Sequence, residues 1–145
     1  MKIKVKENEN IKETTITIEC SQYNEEIEKI VDILSHLRQT LICKKDKEIY
    51  QIYVEDIYYI EVVDEKTFVY VQNEIYETAY RLYELETLLK ECDFVRISKG
   101  CLLNLRYLQS VKVYIYGKYE ATLVNNEKLI ISRKYMSEFK RAFGL

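Results

Sequence analysis

Proline and tryptophan are absent from this 145-residue sequence, glycine occurs three times and histidine once. So little glycine excludes a phosphate-cradling loop: neither GxGxxG nor a GKS/T element is present, and nucleotide cofactors have no signature. The single His36 lies one position off an apolar helical stripe, is expected to face solvent, and has no patterned nucleophile beside it. Carboxylates at Glu55, Asp56, Glu61, Asp64 and Glu65 could do acid-base work, but they read more simply as polar tips and outer faces of strands. The expectation is therefore a protein that is not an enzyme. Cys20, Cys43, Cys92 and Cys101 include no CxxC pair. A zinc site needs ligands converging in tetrahedral geometry, so free thiols in a reducing compartment are expected, with no metal and no cofactor. No run approaches the roughly 18 apolar residues that cross a bilayer, and the start MKIKVKENENIK leads into charge rather than a signal-peptide core. No membrane insertion is expected, and the cytoplasm is the default compartment.

What the sequence does hold is 48% hydrophobic and 32% charged residues, the balance of an ordered protein with room for one domain. Fourteen tyrosines in a proline-free chain suit sheets with aromatic pairs across strands, so they count mainly as scaffold. A net charge of -2 argues weakly against nucleic acid, because phosphate binding is driven by cations. The average conceals a division. Residues 1–40 carry 6 basic and 8 acidic side chains, residues 41–89 carry 5 and 11, and residues 90–145 carry 11 and 5. A chain polarised this way can offer one cationic face while remaining acidic overall. Ordinary surface charge is the competing reading, since strands from both halves can share a sheet.

The first forty residues read as an appendage. Ile3, Val5, Ile11, Ile16 and Ile18 fall in two short alternating runs, expected as strands, separated by a polar turn at residues 7–10. Asn24 or Ser21 then caps a helix with Glu25 and Glu26 in its first turn, where exposed amides favour acids. Ile27, Ile30, Val31, Leu34 and Leu37 form one apolar stripe at helical spacing. Either the rest of the chain or a second subunit must cover it.

From Leu41 the pattern turns to strands. LICKKDKEIYQI reads as a hairpin about residues 44–47. Residues 66–72 alternate Lys66, Phe68 and Tyr70 against Thr67, Val69 and Val71 before turning at residues 72–74. Leu82, Leu85, Leu88 and Leu89 mark a short helix that stops before Asp93. Residues 111–116, 120–124 and 129–132 form a ladder of strands joined at Gly117 and Lys118 and at residues 125–127. Tyr135, Met136, Phe139 and Phe143 define a closing helix over residues 134–143.

Two basic-polar steps interrupt these apolar segments: FVRISKGCLLNL at residues 94–105 and ISRKYMSEFKRAF at residues 131–143. Phe94, Arg96, Lys99, Leu102, Leu103 and Asn104, followed about thirty residues later by the second step, resemble the LytTR family of bacterial DNA-binding domains. The preceding YVEDIYYIEVVDEKTFVYV and the leucine-rich helix match that family's order of elements, and the resemblance covers residues 41–145. It implies a mainly β fold of small antiparallel sheets with short helices, here joined to an N-terminal strand-helix extension over residues 1–40. It also implies loops that enter successive major grooves, and pairs or dimers on repeated sites. The chain has no room for the receiver domain of better-known members and so resembles the standalone ones.

Carried over residue by residue, the resemblance places DNA contacts at Lys99, just after Arg96-Ile97-Ser98, and at Arg133, after Ser132. A third falls at Lys66 in the loop 64–67. Lys134, by its position after Arg133, reads either as a phosphate contact or as ordinary solvated helix charge. Arg133 is the candidate for guanine O6 and N7, which accept two parallel bonds from a guanidinium fork. Arg96 and Asn104 read as supports rather than readers. The family often has cysteine-histidine where this chain has Ile97-Ser98, and Gly100 replaces a serine-like residue, which is expected to loosen the loop bearing Lys99. The expected function is a sequence-specific, double-stranded DNA-binding transcription regulator, expected as a homodimer through residues 1–40. The alternative is a protein-interaction module that uses its acidic middle and tyrosine-rich sheets.

Overall fold

A computed structural model describes residues 1–12, 14–35, 37 and 39–145. The expectation for His36 lies outside those residues. Helix α1 (Glu25–Ser35) precedes strands β1 (Thr40–Lys45) and β2 (Glu48–Tyr53), the predicted hairpin. Its turn is Asp46 and Lys47, at φ 50° and 70°, the left-handed pair whose twist matches that of the flanking strands. Strands β3 (Tyr59–Val63), β4 (Lys66–Val71) and β5 (Glu74–Thr78) follow as a meander. Helix α2 (Leu82–Leu88) then leads into β6 (Phe94–Ser98) and β7 (Cys101–Asn104). These strands make a seven-stranded sheet in the order β2-β1-β5-β4-β3-β7-β6, with every pairing antiparallel. Strands β8 (Leu108–Val113), β9 (Tyr119–Leu123) and β10 (Lys128–Ile131) form a second, three-stranded antiparallel sheet. A single 3-10 turn, Arg133–Tyr135, runs into α3 (Met136–Phe143), which Gly144 ends at φ 92°.

At β7 the large sheet is covered on both faces, which explains why Cys101, Leu102 and Leu103 are apolar without alternation. Leu102 points into one core with Leu41, Ile60 and Val69, closed by Leu82, Leu85 and Leu89 of the α2 segment. Cys101 and Leu103 point the other way, into a core with Val95, Ile97, Ala121, Leu123, Ile131 and Phe139. The small sheet and α3 thus pack on the face opposite α2, giving three layers. Each fully buried leucine or phenylalanine contributes roughly 1.5–3 kcal/mol relative to exposure. The tyrosines behave as scaffold: Tyr58 stacks on Tyr107 at 4.0 Å, Tyr59 on Tyr70 at 4.1 Å, and Tyr50 meets Tyr76 edge-on at 5.2 Å.

Three local expectations change. The strands expected between residues 3 and 18 do not form among the described residues. Alternation supplies an apolar face but no partner edge, and a strand needs its amides and carbonyls paired. Strand β8 begins three residues before the expected start and ends at Val113. Tyr114 N donates to Lys118 O at 2.8 Å, closing a loop over what was expected to be strand. The closing α-helix starts at Met136 rather than Lys134. At the other end of the chain, Asn24 is the N-cap: its Oδ1 accepts from Ile27 N at 3.0 Å. No residue of α1 is buried. Ile27, Ile30 and Leu34 are half-covered, whereas Val31 and Leu37 are exposed, so the described chain covers the stripe only in part.

Burial also sets a pH limit on the fold. It pushes the Cys43 thiol up to about 11, and raises the Cys101 thiol and the Tyr59 hydroxyl well above their ordinary values. An unfolded thiol ionises near 8.5, so the stabilisation from keeping Cys43 neutral is complete below that pH. It is lost as pH rises through about 11. The urea midpoint should therefore fall across that alkaline window, and Cys43→Val should flatten the fall. An unchanged slope in the variant would remove Cys43 as a cause.

Candidate nucleic-acid interface

Strand pairing brings the predicted stations to one end of the molecule. The β3–β4 turn is Asp64 and Glu65, at φ 51° and 65°, with Val63 paired to Lys66 across its base. One residue back, Val62 N donates to Gly100 O at 2.8 Å, which sets the β6–β7 turn and its Lys99 beside that hairpin. On the far side of β6, Ser132 N donates to Ile97 O at 2.9 Å, so the end of β10 and the following Arg133 lie next in the row. Lys66, Lys99, Arg133 and Lys134 are all exposed. Among the described residues, none of the four forms an ion pair with a carboxylate. By contrast, Lys112 and Lys128 both approach Glu120 Oε1, at 3.3 and 3.9 Å, and are partly neutralised.

Arg96 holds this row together. Its side chain is 16% exposed, and its Nη1 donates to Glu86 Oε2 of α2 at 2.6 Å. Its Nε donates to Ser98 O at 2.9 Å and its Nη2 to Lys99 O, while the guanidinium carbon lies 5.7 Å from the Tyr135 ring centre. One planar fork therefore fixes the carbonyls of the Lys99 turn and touches the segment that carries Arg133. Gly100 N also donates to Ser98 Oγ at 3.3 Å. Gly100, expected to loosen this turn, is thus bonded through both its carbonyl and its amide. Asn104 supports as expected: Nδ2 donates to Ile57 O at 2.9 Å and Oδ1 accepts from Arg106 N at 3.1 Å.

The sequence pattern assigned residues 114–116 to a strand and only Gly117 and Lys118 to a turn, with no functional role. Val113 and Ile131 both pair with Tyr119, which puts the β8–β9 tip at the same end as Arg133. A methyl group placed on Gly117 would sit 3.6 Å from Arg133 Cδ, so the arginine stem lies against the tip. The available signal was VYIYG, more apolar than a hairpin tip requires. Lys134 Nζ lies 5.8 Å from the Tyr135 ring centre, joining Arg96 at the same ring.

Replacing Arg96 should expose this dependence. Arg96→Met is expected to destabilise the fold by about 1–3 kcal/mol, the range for losing bonds to a charged group, and to cost the amides of residues 98–100 their exchange protection. Arg96→Lys should not restore that protection, because a single ammonium cannot reproduce the fork. Full rescue by lysine, read by urea titration and amide exchange, would contradict the assignment.

Residues 47–144 match the model of the LytTR family, described as the LytTr DNA-binding domain, over about two thirds of the chain. An uncharacterized HTH-type transcriptional regulator of Staphylococcus aureus strain NCTC 8325 is 28% identical, the alignment covering 100% of this chain and 99% of that protein. Its counterpart in strain MRSA252 is 27% identical over the same shares. Among solved structures, the LytTr DNA-binding domain of a methyl-accepting/DNA response regulator from Bacillus cereus superposes with a TM-score of 0.71. It is 21% identical and spans 74% of this chain and 99% of its own. With the ordered strands, the Arg96 support and the matched segment in agreement, this chain belongs to the LytTR family of DNA-binding domains.

Proposed function

We propose that this protein is a sequence-specific, double-stranded DNA-binding transcription regulator without enzymatic activity, which reads the major groove with turns rather than with a helix. The observation that carries the reading is the row of exposed cations, Lys66, Lys99, Arg133 and Lys134, on turns held to one another by backbone hydrogen bonds and by Arg96. No two α-helices follow one another in the described chain, so a helix pair is not the reading element. Arg133 presents a fork suited to guanine O6 and N7, and Lys66 and Lys99 flank it toward the large sheet. Lys134 serves as a phosphate contact. The full-length similarity to proteins named transcriptional regulators supports the same role, and a cytoplasmic location accords with it. The protein-interaction alternative loses part of its support, because Tyr50, Tyr58, Tyr59, Tyr70, Tyr76 and Tyr107 are spent on pairs within the fold.

The reading extends to a homodimer formed through residues 1–40, the division between this extension and the domain of residues 41–145 being part of the proposal. The half-covered stripe of α1 favours it, since a helix of this length has little stability without tertiary cover. Two copies would also match repeated half-sites.

Arg133→Ala should cost roughly 1–3 kcal/mol on the preferred site and relax the preference at one guanine. Lys134→Ala should weaken all duplexes alike and lower the salt slope by about 1. Equal losses for Arg133→Ala on specific and random duplexes, in titrations at several salt concentrations, would defeat the base-reading role.

For assembly, the double substitution Ile30→Asp with Leu34→Asp should halve the molar mass measured by light scattering while leaving the far-ultraviolet dichroism of the sheets intact. An unchanged mass would remove α1 from the dimer contact.

A further inference from the structure

The β8–β9 tip combines three features that a connecting turn does not require. Val113, Ile115 and Tyr116 are 75%, 60% and 80% exposed, a run of large apolar side chains held in water. Tyr116 stands at φ 56°, ψ 37°, the left-handed region where asparagine or glycine is at ease and a bulky side chain is strained. The loop is nevertheless ordered: Tyr114 N donates to Lys118 O at 2.8 Å and Lys118 N to Ile115 O at 3.3 Å. Strain kept in a well-tied loop points to a use for the side chain that bears it.

Its position says what that use is. The tip is the last member of the row that begins at the β3–β4 hairpin, and its Gly117 lies against the Arg133 stem. With neighbouring strands about 4.8 Å apart, it continues the basic end of the molecule by one step beyond Arg133. Lys118 follows Gly117 in the tip and Lys134 follows Arg133 in its turn, so two further cations belong to these neighbouring segments, a setting complementary to phosphate. Tyrosine hydroxyls are among the groups that position proteins on DNA by bonding phosphate oxygens, and apolar side chains pack on deoxyribose and on thymine methyl groups.

We propose that residues 113–116 form a fourth DNA-contact station, in which the Tyr116 hydroxyl donates to a phosphate flanking the base pairs read by Arg133. Val113 and Ile115 pack on the adjoining sugars. This rests on the DNA-binding reading above and extends the footprint by one backbone segment on the Arg133 side. The contact is uncharged, so it releases no counterion and adds affinity without adding salt dependence.

The full-length protein is tested on a duplex selected by the wild type from a random pool. Tyr116→Asn removes the ring while suiting the left-handed backbone, so its melting temperature should equal or exceed that of the wild type. Its Kd should rise roughly three- to tenfold, the size of one interface contact. Its salt slope should not change, and protection should be lost only at the backbone flanking the Arg133 site. A variant with unchanged Kd and footprint overturns the fourth station and leaves the DNA reading standing. A wild type that selects no duplex overturns the DNA reading and the station with it. A variant that binds DNA normally but changes molar mass assigns the tip to a second copy of the chain and also overturns the proposal.

Discussion

One guanidinium sets the geometry of the functional end. Arg96 arises from the large sheet, pairs with Glu86 on the helix that covers one face, and caps two carbonyls of the turn that carries Lys99. It also lies against the ring of Tyr135, which closes the turn bearing Arg133. A half-buried charge is costly unless it is paired and its donors are satisfied, and here the satisfaction itself orders the site. The arrangement requires a planar fork: several donors in fixed directions serve a carboxylate and two carbonyls at once, which a point charge on a flexible stem cannot do. Arg96 is thus placed as a support, and the turns that carry Lys99 and Arg133, the proposed readers, depend on where it sits.

Topology supplies the rest. In an antiparallel sheet the connections alternate between two ends, and this fold places its turns unequally. The turns at Asp64 and Glu65, at Lys99 and Gly100, at residues 114–118 and at Arg133–Tyr135 share one end. The turns at Asp46 and Lys47, at Gln72 and Asn73 and at Asn125 and Asn126 fall at the other, where Asn125 Nδ2 donates to Gln72 O at 3.0 Å. The first end carries Lys66, Lys99, Lys118, Arg133 and Lys134 against Asp64 and Glu65. The second carries Asp46, Glu48, Glu74 and Glu127 together with Lys44, Lys45, Lys47 and Lys128, so its charges balance, and Lys45 is tied to Glu74. The first end thus holds an excess of cations on a protein that is acidic overall, a distribution that suits approach to a phosphate surface.

The strands of the domain were legible because their signals are local. Alternation in residues 66–71, leucine spacing at Leu82, Leu85 and Leu89, and the Asn24 cap each depend on a few neighbours, and each is found in the structure. The unbroken CLLN is legible once a strand covered on both faces is considered. The N-terminal alternation failed for the complementary reason: a strand is a relation between two segments, and a sequence window contains only one of them. The partners of Arg96 were hidden in the same way, since Glu86 lies on another element and Tyr135 far along the chain. The exposure of Tyr116 could not be read either, because an apolar run before a glycine looks alike whether it ends a strand or forms a tip.

Short, tied turns are a good material for reading DNA. A mobile loop that orders on binding spends part of its interaction energy on its own entropy, whereas a turn held by backbone bonds and a guanidinium has largely met that cost during folding. The consequence is a small interface per chain, since a tied turn offers one or two side chains rather than a helix face. A small contact set gains most from being doubled: once one copy is bound, the second acts at an effective concentration set by the link between them. The half-covered stripe of α1 is the apolar surface on which the proposed link between two copies would rest.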